Sequence, residues 1–254
     1  MVINLKDGVP QFVEKAAEYG VQDPVYSFSS WFWDYDHDGW EDLLIFSYNN
    51  SNPFDISAQI CKEYLGVAAA ENKPVLYLNK DGKGFEKAEF TGLDESLYTM
   101  GGNYGDLNND GHFDFYSGTG EFNLWAAIPN KMYIHTGTEG FTDVTHAGGF
   151  GMIQKGHGVS FGDLDNDGDQ DLYVVSGGAH LPEFSQLYRD RLYINDGKGN
   201  FSKSNNLPQG SKMNISGQAV AASDIDNDGD IDLLMMIDAC IMIIDACMMM
   251  MMMI

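Results

Sequence analysis

Four near-identical nine-residue segments constrain this chain more than any other feature. They read DYDHDGWED (34–42), DLNNDGHFD (106–114), DLDNDGDQD (163–171) and DIDNDGDID (224–232). Each fits D-x-[DN]-x-D-G-x-x-D. Oxygen-bearing side chains stand at positions 1, 3, 5 and 9: Asp34, Asp36, Asp38 and Asp42; Asp106, Asn108, Asp110 and Asp114; Asp163, Asp165, Asp167 and Asp171; Asp224, Asp226, Asp228 and Asp232. Alternate residues of a tight loop point at one centre, and glycine at position 6 permits the positive-φ turn that brings them there. Oxygen ligands in that pattern suit a hard divalent cation. Without one, the carboxylates of a loop crowd together, and two charges at ~4 Å repel by roughly 4 kcal/mol at an effective dielectric near 20. A metal-free Asp/Asn/Gly turn is the plain alternative, but four near-identical copies argue against it.

The sequence therefore predicts one Ca²⁺ per loop, about four ions, with the position-7 carbonyls of Trp40, His112, Asp169 and Asp230 completing each shell. Loop two carries Asn108 where the others carry aspartate, so it is expected to bind most weakly. The loops begin as an EF-hand does, yet position 12, where an EF-hand needs a bidentate glutamate, is Ile45, Ser117, Val174 or Met235. The residues after position 9 (LLIFSY, FYSG, LYVVSG, LLMM) are aliphatic, aromatic and β-branched, which reads as strand. Each loop is thus expected to join two strands.

A second element recurs with the first: INLKDGVPQF (3–12), LYLNKDGKGF (76–85), MYIHTGTEGF (132–141) and LYINDGKGNF (192–201), each a strand, a Gly-rich turn and an aromatic opening the next strand. Their phenylalanines lie 73, 56 and 60 residues apart, and the loops' first aspartates 72, 57 and 61 apart. One unit of about 60 residues is repeated four times. It reads strand, turn, strand, linker, strand, acidic loop, strand. A four-stranded antiparallel sheet repeated around an axis is a propeller blade. The strand entering the loop is rich in small residues in three copies (MGGNYGD, GVSFGD, AVAASD), which would let sheets pack closely. The predicted fold class is an all-β propeller of four-stranded antiparallel blades over residues 1–236, with a helical insert within 51–74.

That insert predicts a helix around 56–72, with Ile56, Ile60, Tyr64 and Val67 near helical spacing. A surface helix capping a blade is favoured over a partner-binding helix. Shorter inserts at 119–130 and 178–190 carry Phe122, Trp125, Phe184 and Tyr188, which either stack on a ligand or pack over a blade edge. The C-terminal segment 237–254 holds a run of six methionines and two copies of IDAC; it is set apart from the array. Asp238 and Asp245 argue against a membrane span there.

The formal net charge of −24 falls only to about −16 with four Ca²⁺ bound, which excludes nucleic acid and anionic lipid as natural partners. Three cysteines define no disulfide framework. No signal peptide is visible, yet loops of ordinary calcium affinity stay filled where calcium is abundant, so an extracellular or cell-surface location is expected.

The loops resemble the FG-GAP/VCBS repeats of integrin α-subunit propellers and of many bacterial secreted proteins. WDYDHDGWEDL, KEYLGV, residues 100–120 and the stretch 141–178, above all GFGMIQKGHGVSFGDLDNDGDQDLY, resemble bacterial relatives of cartilage acidic protein, the ASPIC/UnbV group. The resemblance covers roughly residues 2–236. It implies a calcium-stabilised extracellular propeller, usually of seven blades, that serves adhesion or recognition. Two features depart from that pattern: no ASPIC/UnbV domain follows the repeats, and only four repeats are present. The chain is therefore expected to be part of a larger array, or to have its open faces covered by another chain.

No nucleophile motif and no Cys/His metal spacing occurs; Lys155, His157, His135, His146 and His180 are scattered. The reading is a non-enzymatic module recognising a protein or glycan ligand on its rim. The alternatives are a subunit of an extracellular assembly and a propeller enzyme acting on an extracellular polymer.

Overall fold

In the computed structural model, residues 2–48, 53–67, 73–89, 91–120, 128–137, 140–153, 155–177, 189–207, 217–237 and 240–244 are described. Three four-stranded antiparallel sheets follow one another along the chain. Sheet one comprises β3 (Ser27–Trp33), β4 (Asp42–Ser47), β5 (Val75–Asn79) and β6 (Phe85–Lys87). Sheet two comprises β7 (Thr99–Gly105), β8 (Asp114–Thr119), β9 (Lys131–His135) and β10 (Phe141–Asp143). Sheet three comprises β11 (Gly156–Gly162), β12 (Asp171–Ser176), β13 (Arg191–Asn195) and β14 (Phe201–Ser204). Sheet four has three strands among the described residues, β15 (Gly217–Ser223), β16 (Asp232–Ile237) and β17 (Cys240–Ile244). Among the described residues the hairpin of β1 (Val2–Lys6) and β2 (Val9–Val13) forms a two-stranded sheet of its own, and a short α1 (Ala16–Tyr19) follows it.

The repeat is as predicted, but the sheets divide it halfway. Each acidic loop joins the first two strands of its own sheet, and the second, third and fourth Gly-rich hairpins each belong to the sheet of the loop before them, while the first, β1–β2, stands apart. Equal periods alone do not say where one sheet stops and the next begins. β17 lies within the C-terminal segment set apart above. It pairs with β16 from Leu233↔Ile244 to Ile237↔Cys240.

Adjacent sheets pack face to face through three apolar layers. Trp31, Trp33 and Phe46 of sheet one meet Phe115 and Tyr133 of sheet two. Tyr116 and Met132 of sheet two meet Leu172, Val174 and Tyr193 of sheet three, with Phe150 between them. Tyr173, Val175 and Leu192 of sheet three meet Leu233 and Met235 of sheet four. The small residues of the first strands act as expected. A Cβ on Gly101 would overlap the His157 carbonyl, and one on Gly158 would lie 2.8 Å from Val220 N. Only glycine lets these backbones approach so closely.

The insert helix α2 (Pro53–Tyr64) is shorter than its predicted span. Gly66 adopts φ +68, and the Val67 N–H turns back to the Lys62 carbonyl at 2.8 Å, ending the helix in a left-handed cap. Ile56 and Ile60 pack on Tyr98 and Ile128, whereas Tyr64 and Val67 are exposed. The predicted stretch 68–72 lies outside the described residues, as do Phe122, Trp125, His180, Phe184 and Tyr188. No described helix is long and apolar enough to cross a membrane.

Candidate metal centres on one rim

The topology puts all four loops at one end of the sheets. Each loop joins strands one and two, and each insert joins strands two and three, so loops and inserts leave opposite ends. The hairpin between strands three and four returns to the loop end.

Within a loop the backbone winds the same way in every copy. The position-1 carboxylate is clamped by two N–H groups: Asp163 accepts from Asp167 N and Gly168 N, both at 3.0 Å. Asp34, Asp106 and Asp224 accept the equivalent pairs. Position 4 is left-handed in all four loops, with His37 at φ 58, Asn109 at 57, Asn166 at 60 and Asn227 at 62, and the position-6 glycine follows at φ 90 to 100. Two such residues, rather than glycine alone, make the turn.

The position-9 aspartates Asp42, Asp114, Asp171 and Asp232 are buried. They do more than face the loop centre. One oxygen of Asp171 accepts Leu164 N at 2.9 Å, inside the loop, and the other accepts Asn195 N at 2.9 Å, at the end of the third strand. Asp114 does the same with Leu107 N and His135 N, and Asp42 with Tyr35 N and Asn79 N. This residue ties the loop to the outer hairpin, a role its spacing alone does not disclose. Burial pushes the Asp114 and Asp171 carboxyls up to about 7, against the pull of those N–H groups, and raises Asp42 as well.

Carboxylate oxygens of positions 1, 3 and 9 converge. Those of Asp34, Asp36 and Asp42, of Asp163, Asp165 and Asp171, and of Asp224, Asp226 and Asp232 lie within 4.8 Å of one another. Two oxygens on opposite sides of a cation at about 2.4 Å are separated by about that span, so the donor sets fit a hard cation of calcium size. Loop two, with Asn108 at position 3, forms no such group of three carboxylates. In loop three the Asp165 Oδ1 is buried without a hydrogen-bond partner. Burial and then the charges of Asp167 and Asp163 raise its pKa. A buried, unpartnered carboxylate oxygen among like charges is what a cation would relieve.

The position-5 aspartates Asp38, Asp110, Asp167 and Asp228 are not among these convergent groups. Each turns one oxygen to the N–H of position 7 (Trp40, His112, Asp169 and Asp230) at 2.8 to 3.0 Å. The second oxygen is the one that could face a metal, although in loop two Asp110 Oδ2 accepts the Asn108 Nδ2 at 3.0 Å.

The loops also touch one another, through residues the motif treats as filler. Asn109 Nδ2 donates to Asp169 Oδ1 at 3.2 Å, and Asn166 Nδ2 to Asp230 Oδ1 at 2.7 Å. His37 Nε2 and His112 Nδ1 are 2.9 Å apart. In each pair, position 4 of one loop meets position 7 of the next. The signal was visible as His or Asn at every position 4.

The scattered histidines have packing partners. His135 is buried between Tyr35 and Phe141, at ring distances of 4.6 and 5.1 Å, and burial, then the nearby His112, pulls it down to about 4. His157 Nδ1 lies 3.3 Å from the Gln218 carbonyl of the adjacent sheet. His146 lines a cavity of about 420 Å³ between α2 and sheet two, together with Glu63, Val67, Glu95 and Lys131. There Lys131 Nζ holds Glu95 and Asp143, both at 2.8 Å.

Face-packed antiparallel sheets, each opened by an acidic loop on a shared rim, define a protein built of propeller-like blades. Comparison with known families agrees: the family described as FG-GAP-like repeat matches residues 119–174 and 184–235. Each matched stretch runs from one sheet into the next and takes in loop three or loop four, so the family's repeat is offset from the blade as the sequence repeat is. A search of the curated proteins gave no match.

Proposed function

We propose that each acidic loop binds one Ca²⁺, and that the metal-stiffened blades form an extracellular, non-enzymatic recognition module. The observation that carries this reading is the convergence of three carboxylates in three separate loops, with the Asp165 Oδ1 buried and unpartnered in one of them. Position 5 would add its second oxygen, which in loop two the Asn108 amide must first release, and position 7 its carbonyl. In loop two the Asn108 amide oxygen replaces a carboxylate. The ion would supply charge neutralisation and rigidity; the chain's own N–H clamps on positions 1 and 9 hold the ligands in place beforehand.

Recognition is placed at the insert rim, opposite the loops. In its support, the α2 cavity combines apolar walls with charged groups, and Tyr64 and Leu65 stand exposed beside it. That surface suits a protein or glycan ligand. The sequence resemblance to ASPIC/UnbV-like proteins and integrin propellers belongs to the same reading, as does self-assembly or continuation of the array across the exposed Phe28 and Phe32 of sheet one.

Isothermal titration of chelator-stripped protein tests the metal. The expected result is three sites filling first and a fourth, in loop two, filling at higher calcium. No heat and no bound calcium at millimolar concentration overturns the proposal.

A further inference from the structure

Ten buried side-chain atoms among the described residues have no well-formed hydrogen bond, and four of them belong to residues on the facing sides of sheets two and three. They are Tyr116 Oη, Asn130 Nδ2, Arg191 Nε and Tyr193 Oη. The residues are 0%, 0%, 8% and 2% exposed. Tyr116 lies on β8 and faces sheet three. Arg191 and Tyr193, two apart on β13, share a strand face, and Tyr193 joins Tyr116 in the layer between sheets two and three. The Phe150 ring touches both tyrosines, at 6.1 and 5.2 Å. Asn130 enters from the start of β9 and lies against Gly156 of sheet three, where an added Cβ would be 3.1 Å from its Nδ2. The Tyr116 hydroxyl feels the Tyr193 hydroxyl, the Asn130 amide and the Arg191 charge.

Every one of the four can donate. The Asn130 amide is oriented by Thr119, whose N–H reaches Oδ1 at 3.0 Å, so its NH₂ end is the free one. Arg191 Nη1 is used by the carbonyls of Arg189 and Asp190 at 2.8 and 3.1 Å, leaving Nε without a partner. No ion pair to Arg191 occurs among the described residues. The adjacent carboxylate, Asp190, instead accepts Ser176 N at 3.0 Å and Tyr173 Oη at 3.1 Å. Lys203, opposite Tyr193 in register, adds a second positive charge close to Arg191. In a chain of net charge −24, a buried guanidinium that feels the Asp190 charge but makes no ion pair with it, and whose Nε has no partner, is the exception to explain. A buried charge persists when something pairs with it. Water could satisfy single donors, but it does not neutralise a cation.

We infer that a small monovalent anion, chloride in ordinary solution, is held between sheets two and three by Arg191 Nε, Asn130 Nδ2 and the hydroxyls of Tyr116 and Tyr193. The site sits at the insert end of the sheets, remote from the acidic loops, and it does not depend on their metal.

The test is thermal melting of the full chain at saturating calcium gluconate and constant ionic strength, in sodium chloride against sodium gluconate. Wild type should melt higher in chloride, on the order of 2–4 °C and saturably. Tyr116→Phe with Tyr193→Phe keeps the packing and removes two donors, and should abolish most of that difference. Crystals grown in bromide should show an anomalous peak within hydrogen-bond reach of Arg191 Nε. Equal melting in both salts, a chloride effect undiminished in the double variant, or only water at the site overturns the inference. Should the double variant fail to fold, the bromide crystal of the wild type decides alone.

Discussion

Asn166 Nδ2 donates to Asp230 Oδ1 across 2.7 Å, linking the third acidic loop to the fourth. Asn109 and Asp169 repeat the link one sheet earlier, and His37 and His112 stand in the same relation before that. The position-4 residue of each pair sits at a left-handed backbone position. One residue therefore does two jobs: it permits the turn that gathers the ligands, and it fastens the loop to its neighbour.

Asn166→Ala should lose both. The left-handed conformation costs alanine about 1 kcal/mol or more, whereas asparagine tolerates it. The exposed hydrogen bond adds a smaller amount. A drop of about 2–4 °C in melting temperature is expected at saturating calcium. Asn166→Gly should recover most of it, because glycine restores the backbone and not the bond. Equal losses for alanine and glycine would show that the link, not the turn, dominates.

Calcium should act on stability with a sign that depends on Asp165. A metal bound at 100 times its Kd stabilises the fold by about 2.7 kcal/mol per site, so chelation should lower the melting temperature sharply. In calcium, Asp165→Ala should destabilise by removing a ligand. In excess chelator the same change should be neutral or stabilising, since it removes a carboxylate crowded by Asp163 and Asp167. Melting curves that ignore chelator, or an equal loss in both conditions, would rule out a metal at this loop.

The acid side of the stability profile should report Asp190, which lies outside the loops. Burial raises its carboxyl to about 6 from 3.8, outweighing the Ser176 N–H, the Tyr173 hydroxyl and Arg191. The folded protein thus holds a proton that the unfolded chain releases. Its contribution is greatest below pH 3.8 and is lost as pH rises through 6. Asp190→Asn keeps an acceptor for Ser176 and does not ionise. In gluconate buffer, its stability relative to wild type should rise between pH 4 and pH 7, by on the order of 2–3 kcal/mol at most. A difference that does not change with pH would contradict the assignment.

The parts legible in the sequence were those written in local pattern. Loop spacing, strand alternation and the glycines of β7 and β11 each follow from a short run of residues, and each is realised. Non-local facts were not legible. The offset between repeat and blade depends on which hairpin β4 chooses, and both choices share one period. The second role of Asp171 depends on Asn195, which is 24 residues away and arrives only when β13 docks. The early stop of α2 was written in Gly66, but the apolar spacing through Val67 spoke for a longer helix. The anion site needs Tyr116, Asn130 and Arg191 from two sheets, and no motif joins them.

The last expectation concerns the outer face of sheet one. Trp31 and Trp33 turn toward sheet two, where they meet Tyr104 at 5.6 and 5.3 Å. Strand alternation sends Phe32 the other way, and it is 52% exposed; the bulge between Ser27 and Ser30 puts Phe28, 60% exposed, beside Tyr48 instead. Every interface between adjacent sheets here is closed by an apolar layer; on this face Leu43 and Tyr77 are buried, with Asp23 bonded to the Tyr77 hydroxyl, but no sheet lies upon it among the described residues. Two exposed aromatics on the outermost strand, Phe32 on its face and Phe28 at its bulge, favour association. Sedimentation velocity at rising concentration should therefore show reversible dimers or larger species, and Phe28→Ser with Phe32→Ser should shift them toward monomer while leaving the melting temperature nearly unchanged. A single monomeric boundary at every concentration, unaltered by the double substitution, would show that this face is tolerated in water and recruits no second copy.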